Sequence, residues 1–128
     1  MDIIERGMMI QTKQDLKLLL PLFDAVVNHW NGWQAAVIDL KKWDVHHPGY
    51  HEAFASTMQM RDCYLDSRNQ ANKTLREIIS RNAAPAEVRQ YLIVLDMMGI
   101  KLLVVIWPTW RLRLNSFICE IIRVEKAQ

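Results

Sequence analysis

At 128 residues, with 51% hydrophobic and 23% charged side chains, the chain has the length of one domain and a globular composition. Those values exclude a disordered polypeptide and a miniprotein that depends on disulfide or metal staples. A net charge of +2 excludes an acidic nucleic-acid mimic and falls short of the basic excess typical of nucleic-acid binders.

Residues 1–11 have no sustained hydrophobic period and are expected to form a loosely packed N-terminal segment. They lack the basic n-region and apolar run of a signal peptide, so a cytoplasmic protein is expected. Thr12 to Asp15 reads as a helix start resembling a capping box. From there Leu16, Leu19, Phe23, Val26, Trp30, Trp33, Val37 and Leu40 alternate at spacings of three and four, which is a heptad seam. The first helix is therefore expected from about Thr12 to Trp43, kinked or restarted at Pro21, which lies on the opposite side of the wheel.

Asp44 to Tyr50 is the clearest turn, because Pro48 restricts His47 and Gly49 loosens the backbone after it. A second helix follows with Phe54, Met58, Leu65, Leu75, Ile78 and Ile79 inward, until Asn82 to Pro85 breaks it. Pro85 and Glu87 then open a third helix. Its body, Val88 to Trp107, has fifteen apolar residues in twenty and no polar face, as in a helix buried in the middle of a bundle or in a bilayer. Asp96 and Lys101 near the centre would each cost about 2.5 to 3.5 kcal/mol on insertion, whereas each Leu, Ile or Val returns only about 0.3 to 0.6 kcal/mol. The sum is near zero, and a buried central helix is favoured over a membrane span.

Trp107, Pro108 and Thr109 are expected to end that helix and start a fourth, with Trp110, Leu114, Phe117, Ile118 and Ile121 inward. A competing reading makes residues 100–114 a β-hairpin around Pro108, supported by the alternation in WRLRL. The economical assignment is all-α: one domain over residues 1–128, a four-helix bundle-like fold with a long hairpin of helices 1 and 2 and a buried, apolar helix 3.

Candidate chemistry is sparse. His46, His47 and His51 with Glu52 are the one cluster of possible metal ligands, but Pro48 and Gly49 separate the histidines and Glu52 lies outside the pair, so a solvated turn competes strongly with a metal site. Arg61, Arg68 and Asn72 interrupt the inward side of helix 2. They either pair internally, with Asp96, Asp24 or Asp39, or line a groove for an acidic segment or a phosphate. Cys63 and Cys119 are far apart without C-x-x-C spacing and read as free thiols. No phosphate loop, nucleophile elbow or inward carboxylate pair is present, and no cofactor is implied.

The function expected from this inventory is a non-enzymatic protein-binding module, acting as an adaptor, inhibitor or small regulator. The alternatives are a nucleic-acid-binding regulator using Arg111, Arg113 and Arg123 with the helix 2 arginines, and a metal-dependent enzyme using His46, His47 and His51. Helices 1 and 2 are longer than helices 3 and 4, which leaves apolar seam uncovered and predicts a homodimer. The same mismatch predicts a projecting tip with Trp43, His46, His47, Tyr50, His51 and Phe54 as the partner-binding site. Three histidines there would make binding sensitive to pH near the unperturbed imidazole value of about 6.5.

Overall fold

The computed structural model describes residues 2–127. Four helices and no strand occur among them: α1 (Ile3–Leu40), α2 (Tyr50–Arg81), α3 (Ala86–Met97) and α4 (Ile100–Lys126). The competing β-hairpin over residues 100–114 is thus replaced by helix, and the all-α class stands.

Each helix packs antiparallel to the next. Arg81 of α2 reaches Asp15 of α1 at 3.1 Å while His29 of α1 meets Ser67 of α2, so the two run in opposite directions. Arg76 to Asp96 joins α2 to α3, Arg113 to Glu87 joins α4 to α3, and Lys13 to Glu125 with Arg111 to Asp24 closes α4 onto α1. Neighbouring pairs are α1–α2, α2–α3, α3–α4 and α4–α1, and the two diagonal pairs do not approach each other. This is an up-down-up-down bundle. Its axis is filled by Leu16, Leu19, Phe23 and Val26 of α1, Ala71 and Leu75 of α2, Leu92 and Leu95 of α3, and Leu103 and Leu114 of α4, all at most 2% exposed. Full burial of a side chain of Val or Leu size contributes about 1.5 to 3 kcal/mol.

Helix boundaries differ from expectation at three places. Residues 3–11 continue α1 because Asp2, not Thr12, caps it: the Asp2 carboxylate accepts from the Glu5 backbone N–H at 2.7 Å. Residues 2–8 are all exposed, while Thr12 is buried inside the helix and donates to the Met8 carbonyl. Second, α1 runs through Pro21, an exposed position where the lost backbone bond lies away from the core.

The third difference matters most. Val88 to Trp107 is not one buried helix; it breaks at Met98, whose backbone is extended, and Gly99, and the next helix passes straight through Pro108. A mid-helix proline is unfavourable by about 3 kcal/mol, but Trp107 beside it is 3% exposed, packs 5.5 Å from the Phe23 ring and donates its indole N–H to Asp24 at 2.8 Å. That anchorage offsets part of the cost of the proline in a helix that is continuous from Ile100 to Lys126. Each half of the stretch buries one face only: Val88, Leu92 and Leu95 in α3, Leu103 and Trp107 in α4.

The shifted boundary also moves the ion pairs. Asp96 bonds Arg76 at 3.1 Å at a half-exposed site, not Arg61 or Arg68. Asp24 takes Trp107 and Arg111 of α4 and no arginine of α2. Arg61 instead lies 3.2 Å from its neighbour Asp62. No described helix is long and apolar enough to cross a membrane.

Candidate functional site: an open step on the bundle

At about 1.5 Å per residue the 38 residues of α1 span about 57 Å and the 32 of α2 about 48 Å, against about 18 Å for the 12 of α3 and about 40 Å for the 27 of α4. The α3–α4 turn fixes where cover stops. Arg68 donates from Nη2 to the Met98 carbonyl at 2.8 Å, so the turn sits beside Arg68, and the part of α2 before that level stands clear of α3.

Two stripes pass from under the cover into the open. On α2, Arg68, Asn72, Arg76 and Ile79 face α3, and the same three-and-four spacing continues toward the turn at residues 41–49 as Leu65, Arg61, Met58 and Phe54. On α1, Asp24 bonds Trp107 and Arg111 of α4, and its three-and-four spacing continues toward the tip as Val27, Asn31, Gln34 and Ile38. In the open half Ile38 is 59%, Phe54 44% and Leu65 45% exposed, and beside the α3–α4 turn Met97 is 80% and Leu102 55% exposed. The result is a stepped face, with the bare hairpin as its tread and the α3–α4 turn as its riser.

Polar groups along this step are poorly satisfied. Trp33 Nε1, Arg68 Nη1 and Asn72 Oδ1 are buried without a hydrogen-bond partner among the described residues. They are close in the fold: Trp33 stacks on Tyr64 with ring centroids 5.6 Å apart, and Tyr64, Arg68 and Asn72 follow one another by single helical turns. Burial pushes the Tyr64 hydroxyl up in pKa, against the opposing pull of Arg68. Desolvation is also the first cause that lowers Arg68, with Tyr64 and Asp96 acting to raise it and Arg76 adding to the lowering. A cation whose pKa falls on folding is worse off inside than in the unfolded chain, and because arginine stays charged at every accessible pH, that penalty does not titrate away. Arg68→Met removes a desolvated cation together with its bond to the Met98 carbonyl, two effects of opposite sign, and is therefore expected to cost less than the roughly 3 to 5 kcal/mol of breaking a buried ion pair. The urea midpoint reads this directly. A fall of several kcal/mol would make the Met98 bond a structural requirement.

At the tip all six predicted residues lie at the far end of the tread. Trp43 packs edge-on to His47 with centroids 4.6 Å apart, and a Cβ at Gly49 would come within 2.7 Å of the Trp43 ring, which explains glycine there. His47 Nδ1 accepts the Gly49 backbone N–H at 3.0 Å, and Asp44 accepts that of His46 at 2.9 Å. Tyr50 and Phe54 stack at 6.2 Å, with His51 beside Tyr50. Of the three histidines only His47 bonds the loop through its ring, and among the described residues no three His, Cys, Asp or Glu side chains come together as a metal site.

Of the arginines considered for nucleic acid, Arg111 is held by Asp24 and Arg113 by Glu87, which neutralises two of the three. At the opposite end of the bundle, a groove of about 230 Å³ is lined by Met9, Pro85, Val88, Phe117, Ile121 and Val124. Its titratable lining is Glu87 and Glu120, which form no acid–base pair with a nucleophile. Comparison with known proteins gives no relative: no family model matches the chain, no curated protein is detectably similar in sequence, and no solved structure is detectably similar in fold.

Sequence reasoning placed Arg61, Arg68, Asn72 and the tip aromatics in view but missed Ile38, Met97 and Leu102. Met97 and Leu102 belong to the stretch whose greasiness reads as core. The available signal was Gly99, a helix-weakening residue in the middle of that stretch.

Proposed function

We propose that the chain is a protein-binding module, an adaptor, inhibitor or small regulator, whose docking surface is the stepped face. Binding, not catalysis, is its activity. The observation that carries this reading is the continuity of the two stripes: positions that hold α3 and α4 in one half of the hairpin carry Ile38, Phe54 and Leu65 bare in the other half. Large apolar side chains exposed in a contiguous patch mark contact sites. Aromatic and arginine side chains, here Phe54 and Arg61, are those most enriched at the energetic centres of interfaces. Trp43, His46, His47, Tyr50 and His51 form its outer rim, and Arg68 and Asn72 supply unmet polar groups at its inner edge.

Site-directed photo-crosslinking in the native host tests it. A photoreactive residue at position 65 is expected to give one discrete adduct, and the same residue at Gln70, exposed on α2 but off the stripe, none. Equal labelling from both positions, or no adduct from position 65, would overturn the docking role of the step.

A further inference from the structure

We infer that the occupant of the stepped face is a second copy of this chain, docked antiparallel about a two-fold axis near the middle of the tread. This rests on the docking role of the step proposed above, and it is supported by shape, area and charge.

A step is complementary to itself. When two copies approach tread to tread and head to tail, the hairpin of each fills the space beyond the α3–α4 turn of the other. Four helices then meet in the open region, as α1 to α4 do in the covered one, and an isologous contact of this kind closes without leaving a free end. Ile38, Phe54, Leu65, Met97 and Leu102 are between 44% and 80% exposed. With about 200 Å² for a large side chain standing free, they alone leave roughly 600 Å² per copy. A pair thus offers roughly 1,200 Å², the size at which stable specific interfaces begin.

Charge points the same way. α4 starts at Gly99 without a side-chain cap, and Lys101 in its first turn has no ion pair among the described residues. The riser therefore carries the positive end of a 27-residue helix plus a free cation. The tip carries the acids Asp39, Asp44 and Glu52 together with the bases Lys41 and Lys42, none of them in an ion pair among the described residues, which leaves one negative charge in excess there. In one chain tip and riser lie roughly 20 Å apart along the hairpin, too far to interact; in the antiparallel pair the tip of each copy reaches the riser of the other. Arg61, midway along the tread, meets its counterpart near the axis. The Asp62 carboxylate already 3.2 Å from it prevents a contact of bare like charges.

Sedimentation velocity on the full chain from about 5 to 100 µM, the range in which a dissociation constant of micromolar order is visible, provides the test. A species of about 30 kDa is expected, twice the 15.0 kDa chain. Leu65→Glu should restore the monomer with its helical circular-dichroism signal intact, and Phe54→Glu provides a second disruption should the first fail to fold. Lys101→Glu should weaken association about tenfold at low salt and much less at 1 M, where screening shortens to about 3 Å. A wild-type monomer throughout, or a dimer that neither tread substitution touches, overturns the second copy as occupant. The crosslink at position 65 separates the two claims: an adduct with a different protein keeps the docking role while the dimer fails, and no adduct removes both.

Discussion

Trp107→Ala is expected to destabilise the fold by about 3 to 5 kcal/mol, the range for truncating a large buried aromatic. Trp107 is 3% exposed, packs against Phe23 and offsets part of the cost of Pro108 in α4. A domain of this size has only about 5 to 15 kcal/mol in total, so the urea midpoint should fall by a large fraction. The slope should stay unchanged if unfolding remains two-state. Trp107→Phe keeps most of the ring contact and should cost clearly less. A loss below about 1 kcal/mol for the alanine variant would mean that α4 is not anchored on α1 through this residue.

Asp24→Ala should be the next most damaging change, at about 1 to 3 kcal/mol, the cost of leaving a buried donor unmet. Its carboxylate accepts from Trp107 Nε1 at 2.8 Å and from Arg111 at 2.9 and 3.0 Å. Arg111 stands in solvent and can rehydrate, so the cost comes from the indole N–H, which has no other partner. Asp24→Asn retains an acceptor and should recover most of the loss. Denaturation of the Asp24→Ala, Trp107→Phe pair distinguishes this account from a general loss of packing: once the donor is gone, removing Asp24 should add little. Full additivity would contradict it.

The parts of the fold that were legible in the sequence are those set by local chemistry. The seam from Leu16 to Val26 reads as core and is core; Pro48 with Gly49 and Pro85 mark turns where turns occur. The start of α1 reads as Thr12 because Thr12 resembles a cap, whereas Asp2 supplies the actual one, fourteen residues before the apolar seam begins at Leu16. The apolar stretch reads as ending at Pro108 but breaks at Met98 and Gly99, because the proline's local cost is offset by the contact of Trp107 with Phe23, 84 positions away in sequence. Such contacts leave no local signature.

The candidate site was half legible for a related reason. Hydrophobicity reports that a surface must be covered and not by what, so Val88 to Trp107 reads as core although Val94, Met97, Leu102 and Val105 are bare. Only the sense of the length mismatch is legible, helices 1 and 2 being the longer pair; helix 3 reads as about 35 Å and helix 4 as under about 30 Å, whereas α3 has 12 residues and α4 has 27, about 18 and about 40 Å. The riser is not legible, because its position depends on the break at Gly99. Arg68 was expected to meet a carboxylate and meets the Met98 carbonyl instead, since the pairing register of α2 and α3 follows from that same break.

Amide hydrogen exchange as a function of protein concentration tests the stepped face as the site of association most directly. Raising the concentration from about 1 to 100 µM should slow exchange in residues 50–65 and 97–103, where the tread and riser become covered, and leave residues 70–81 of the same helix unchanged, because protection follows the local free energy of opening. Exchange that is independent of concentration, or that slows equally along the whole of α2, would contradict the account.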